Sequence, residues 1–159
     1  MRRAAVSVSH RTQVRRVPTL SLSIQGHTKF AGLPARSTLA RWIAAALTSE
    51  AQLTVRFVDA REGRRLNRDF RGKDYAPDVL TFTYATNPVV HADIVICVPV
   101  LRRKARALRV PTRDHLAHLV VHATLHAHGH RHDRSAPAHA MEAREIEILR
   151  MLGKRNPYL

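Results

Sequence analysis

The chain has a single cysteine, Cys97, among 159 residues. That excludes an internal disulfide framework and any zinc site built from several thiolates, and it suits a reducing compartment. Acids are scarce too: twelve Asp and Glu stand against twenty-seven Lys and Arg, a formal charge of +15. A polyanionic partner is the first expectation, the more so because twenty-three of the cations are Arg, whose planar fork matches phosphate. No stretch approaches the ~20 uninterrupted apolar residues of a membrane span, so no membrane partner is expected. The first eighteen residues, MRRAAVSVSHRTQVRRVP, hold five Arg, no acid and no apolar signal core. Arg and Ser without acids is also the composition of a transit peptide, but so short a stretch reads as a disordered basic tail, residues 1–18, ahead of a domain at 19–159. A cytoplasmic location is expected. With thiolates excluded, any metal chemistry must come from histidine.

The apolar fraction of 45% is that of a folded body decorated by charge. LSLSIQ (20–25) alternates like a strand, and Leu39, Trp42, Ile43, Ala46 and Leu47 recur at helical spacing after Pro34. QLTVRFV (52–58), DVLTFTY (78–84) and ADIVICV (92–98) predict three more strands, the last apolar enough to be covered on both faces. A short helical stretch around Leu66 and a loop, RGKDYAP, lie between the second and third. A basic helix follows Pro99, a histidine-bearing helix begins with Thr112 or Asp114 as its cap, and a closing helix over about 135–152 presents Met141, Ile148, Leu149 and Leu152 on one side. The expectation is a single α+β domain, an approximately four-stranded mixed sheet with packed helices, and a metal site at the end of the central histidine helix.

Eight of the eleven histidines fall between His115 and His139. His122 and His126 stand four apart, about 40° around a helix and one turn along it, so both imidazoles can face one ion. On its own such a pair is commonly two solvated side chains. Gly129 then supplies a residue that can take a left-handed conformation and end the helix, which lets His132 fold back as a third ligand. His128 and His130 compete for that place. The triplet His118, His122, His126 is excluded as a single-ion site, because its ends are ~12 Å apart along the axis. Three imidazoles without a thiolate leave a fourth position open, as in a catalytic zinc site, and predict one Zn²⁺ per chain. The spacing is also that of HExxHxxGxxH peptidases, but Ala123 replaces the Glu that serves them as base. No side-chain general base is evident.

Three segments carry a resemblance. LNRDFRGKDYAPDVLTF (66–82), ADIVICV (92–98) and HLVVHATLHAHGHRH (118–132) resemble, in the same order, LNxxYRGKDxPTDVLSF, GDIVIC and HxxVHGxLHLxGYDH of the YbeY family of bacterial endoribonucleases, the rRNA maturation factors. The ending GKRNPYL is also similar. The resemblance implies an α+β fold with a four-stranded sheet. It also implies zinc on His122, His126 and His132, a functional Arg at Arg71, and metal-dependent, single-strand-selective endoribonuclease activity. The expected setting is 16S rRNA 3′-end maturation and quality control of 70S ribosomes, with ribosomal proteins and assembly GTPases as contacts. In place of the family's Tyr-Asp before the third ligand stand His130 and Arg131, a cation where the family has an acid.

Arg71 beside Gly72 and Lys73 can approach a polyanion closely and clamp phosphate. Asp74 and Asp78 are expected to cap turns of that loop, with a place facing the metal as the alternative for Asp78. Arg102, Arg103 and Arg106 on the basic helix, with Lys73, form the candidate RNA track, although few aromatics accompany them. Cys97 is expected to be a buried strand residue. The reading is thus a zinc-dependent endoribonuclease. Its alternatives are a non-catalytic RNA-binding assembly factor with structural zinc, or a metal-dependent hydrolase of a small substrate.

Overall fold

The computed structural model describes residues 17–129 and 135–159, the side chains of 135–138 excepted. The expected tail therefore lies, for residues 1–16, outside the described residues, as do His130, Arg131 and His132. Along the chain run β1 (Leu20–Gln25), a 3-10 turn (His27–Lys29), α1 (Arg36–Ala46), β2 (Ala51–Val58), α2 (Ala60–Arg71), β3 (Val79–Ala85), β4 (Val90–Cys97), α3 (Val98–Leu108), α4 (Thr112–Ala127) and α5 (Ser135–Met151). The four strands form one mixed sheet in the order β1-β2-β4-β3. β1, β2 and β4 are parallel, and β3 returns antiparallel along β4.

The register aligns the alternating apolar residues into rows: Leu22, Leu53 and Ala92 in one, Ile24, Val55 and Ile94 in the next. These rows face α1 and α4, with α5 packed on α4, and with Trp42, Ile43, Leu116, Val120, Leu125, Met141 and Ile148 they make the main core. Each fully buried Leu or Ile contributes roughly 1.5–3 kcal/mol by leaving water. The opposite face is covered only in part. There Val58, Leu80, Val95, Cys97 and Val100 form a smaller cluster with Leu66 of α2. β4 is therefore covered on both faces only in its second half; His91 is exposed and Asp93 half-buried, which corrects the expectation for the whole strand. Cys97 is buried, as expected, and burial raises its thiol pKa.

Local chemistry sets the helix ends that matter for the site. Asp59 caps α2 by accepting from the Glu62 N–H at 2.8 Å, and Gly72, at φ 69°, closes it by donating its N–H to Arg68. Arg71 is consequently the last residue of a helix rather than part of a loop. α4 begins without a side-chain cap: the Pro111 carbonyl accepts from Asp114 and His115. Thr112 lies inside the helix, and Asp114 is instead bound by the Lys154 ammonium at 2.6 Å. α4 is buried almost all round, the mark of a central helix.

Candidate metal centre

One stripe of α4 escapes the apolar pattern. His115, His118, His122 and His126 follow one another along it with ring centroids 6.2, 6.2 and 6.3 Å apart. Their spacings of three and four residues keep them on one side of the helix. The last pair, His122 and His126, is nearly parallel, at 30°, with His126 exposed and His122 half-buried. α4 then ends at Ala127, and Gly129 takes φ 95°. This is the left-handed break expected at that position.

Behind the stripe stands Glu145 of α5, fully buried. Its Oε1 accepts from His122 Nδ1 at 2.5 Å and its Oε2 from His118 Nε2 at 3.1 Å. The Tyr158 hydroxyl donates to the same Oε2. Burial alone would raise the Glu145 pKa, but the hydrogen bonds from His118, His122 and Tyr158 outweigh it and hold the carboxyl at about 2. The pKa of the Tyr158 hydroxyl is raised in turn by partial burial and by the carboxylate it faces. Ligand atoms of His118, His122 and Glu145 lie within 4.8 Å of one another, so among the described residues this group could hold a metal ion.

His128, the competitor for the third ligand place, turns back on its own helix: its Nδ1 donates to the Thr124 carbonyl at 2.8 Å. His118 is directed to Glu145. His132 and His130 lie outside the described residues.

Arg71 and Lys73 are both exposed at the end of α2. The segment that follows is held to the helix. The Asn67 side chain donates to the Tyr75 carbonyl at 2.9 Å, the Lys73 N–H bonds the Asn67 carbonyl at 3.2 Å, and Arg64 pairs with Asp74. Asp78 caps the start of β3 through the Val79 N–H and accepts from Lys104, so it serves the turn. Burial lowers the His115 pKa, and the Asp78 carboxylate partly opposes that lowering. In α3, Arg102 donates to the Ala31 carbonyl at 2.5 Å. Arg103 and Arg106 are exposed, and Arg106 lines a shallow cleft with Arg102, Leu33 and Val110.

Glu145 and Tyr158 were missed by sequence reasoning. A signal existed for Glu145, since it falls in register with Met141, Ile148, Leu149 and Leu152, an acid inside an apolar stripe. Nothing local pointed to Tyr158. Among the described residues, no helix is long and apolar enough to cross a membrane.

Comparison with known proteins adds the following. Residues 27–153 match the family model described as Endoribonuclease YbeY. The chain is 53% identical over 143 residues to the Endoribonuclease YbeY of Methylibium petroleiphilum, covering 89% of this chain and 95% of that protein. It is 51% identical over 146 residues to that of Cupriavidus necator, covering 89% and 74%. It is 50% identical over 146 residues to that of Paracidovorax citrulli, covering 87% and 95%. Among solved structures, the solution structure of TM1509 from Thermotoga maritima matches with a TM-score of 0.54 at 22% identity, covering 83% of this chain and 91% of that one. At that identity the likeness speaks for the fold alone.

Proposed function

The chain belongs to the YbeY family of endoribonucleases, and on that premise we propose that it is a metal-dependent endoribonuclease acting on single-stranded RNA, with zinc held by His122, His126 and His132. The observation that carries the metal reading is the near-parallel pair of imidazoles, His122 and His126, one turn apart at the end of a buried helix and backed by a buried carboxylate. The donor chemistry fits: neutral imidazole nitrogens suit zinc, and the positive φ of Gly129, just beyond the helix end, is the kind of break after which His132 would complete the set. When bound, the metal would supply Lewis acidity, lowering the pKa of water and drawing charge from a phosphoryl oxygen.

The protein's own groups do the rest. Arg71, exposed at the end of a clamped segment, binds the scissile phosphate through its guanidinium fork and offsets charge that builds on it. Lys73, Arg103 and Arg106, with Arg102, guide the strand by phosphate contacts that carry no base information. Glu145 is not a general base, because its carboxylate is already engaged by three donors. The cellular setting in this reading is 16S rRNA 3′-end maturation and ribosome quality control in the cytoplasm. There the precursor rRNA, ribosomal proteins and assembly GTPases are partners, and residues 1–18 form a basic tail on a domain spanning 19–159. A scaffold with structural zinc would instead need a closed four-ligand site.

The test is metal analysis of the purified protein coupled to cleavage of a single-stranded RNA with and without chelator. One zinc per chain and chelator-sensitive cleavage are expected. His132→Ala should cut metal content far more than His128→Ala or His130→Ala. Arg71→Ala should keep its metal but cleave roughly 10²-fold more slowly, about 3 kcal/mol, and Lys at that position should restore little because a point charge lacks the fork. Equal metal loss in all three histidine variants would refute the ligand set, and parental cleavage by both Arg71→Ala and His126→Ala would refute the enzyme.

A further inference from the structure

We infer that Glu145 and Tyr158 are positioning residues for the metal ligand His122, so that the last residues of the chain form part of the metal site. The inference rests on the reading of His122, His126 and His132 as the zinc ligands. An ionised carboxylate only accepts hydrogen bonds. With Glu145 Oε1 2.5 Å from His122 Nδ1, that nitrogen must carry the proton, and the tautomer leaves the Nε2 lone pair as the one His122 can offer a metal. The same bond fixes the plane of the ring. Carboxylates that do this for metal-bound imidazoles raise their basicity and orient them.

A carboxylate at 0% exposure needs its remaining lone pairs satisfied if it is to stay ionised and in one rotamer. His118 Nε2 and the Tyr158 hydroxyl both donate to Oε2. His118 thus acts as a second donor to Glu145, its ring edge-on to Tyr158 at 5.5 Å. The tail that brings Tyr158 here is anchored on the same two helices. Gly153 turns the chain at the end of α5 with φ 74°. The Lys154 N–H bonds the Leu149 carbonyl at 2.8 Å, and its ammonium pairs with Asp114 in the first turn of α4. The tail therefore crosses from the start of α4 back to Glu145, where Tyr158 meets a carboxylate with no exposed surface.

The experiment measures zinc affinity by competition with a chromophoric chelator, together with the visible spectrum of the cobalt(II)-substituted protein, for parent, Tyr158→Phe and Glu145→Gln. Tyr158→Phe keeps the ring and removes one donor, so it should fold as the parent does while weakening zinc binding severalfold. Glu145→Gln should weaken it about 10–100-fold. Both should shift the cobalt spectrum, which a residue needed only for packing would leave alone. Unchanged affinity and spectrum in Tyr158→Phe would overturn the role of the tail, even if Glu145→Gln failed to fold. Two metals per parental chain falling to one in Glu145→Gln would make Glu145 a ligand with His118, and the positioning role would be wrong. Retention of metal by His122→Ala and His126→Ala would instead remove the zinc reading beneath it.

Discussion

Arg64 meets Asp74 in a two-point ion pair, Nε to Oδ1 at 2.8 Å and Nη2 to Oδ2 at 3.0 Å, across the turn that follows Arg71 and carries Lys73. The Arg64 guanidinium holds the Asp74 carboxyl below its ordinary range and is itself raised. Both side chains are more than half exposed, so the pair adds little to global stability. Its effect is to order the turn. Asp74→Ala should lower kcat/KM for a single-stranded RNA about tenfold through misplacement of Arg71, while the unfolding temperature and zinc content stay near parental values. A large fall in unfolding temperature with unchanged turnover per folded molecule would show the pair to be a stabilising contact only.

RNA affinity should fall steeply with salt, because each phosphate neutralised on a single strand adds a slope of about −0.7 to log affinity against log salt. Arg103 and Arg106 are exposed on α3, whereas Arg102 is bound to the Ala31 carbonyl. Replacing Arg103 and Arg106 by Glu should therefore flatten the slope and weaken binding without changing zinc stoichiometry. Filter binding across a salt series decides it, and an affinity indifferent to salt would remove RNA as the ligand of this helix.

His115 should make stability pH-dependent. It is 7% exposed and its Nε2 has no hydrogen-bond partner among the described residues. Burial lowers its pKa; His118 on the same helix and Lys104 of α3 add to the lowering, and Asp78 at the start of β3 opposes it. The unfolded chain therefore binds this proton more readily than the folded one. Stability is complete above the ordinary histidine value of about 6.5 and is lost as pH falls from there through the lowered folded value, with a slope of at most about 1.4 kcal/mol per pH unit. In urea titrations His115→Leu should be flatter with pH than the parent over that range. An identical pH dependence in the two proteins would show that His115 is not the group responsible.

Much of the molecule follows from the order of its residues alone. Period-two alternation in LSLSIQ and QLTVRFV specifies which strand face is buried, and the register of Leu22, Leu53 and Ala92 follows from that pattern. The four-residue step from His122 to His126 and the glycine at 129 are likewise local facts, since the geometry of a single helix converts spacing into direction. α2 was only faintly legible: it has one apolar residue at its centre, Leu66, and its length is set by the Asp59 cap and by Gly72. Arg71 therefore proved to be a helix end rather than a loop residue. Glu145 and Tyr158 belong to a different category. His122 and Glu145 are 23 positions apart, and Tyr158 reaches Glu145 across 13. Only the packing of α5 and the tail against α4 decides that three donors converge on one buried carboxylate, because that convergence depends on how separate elements meet and no periodicity within any one of them encodes it.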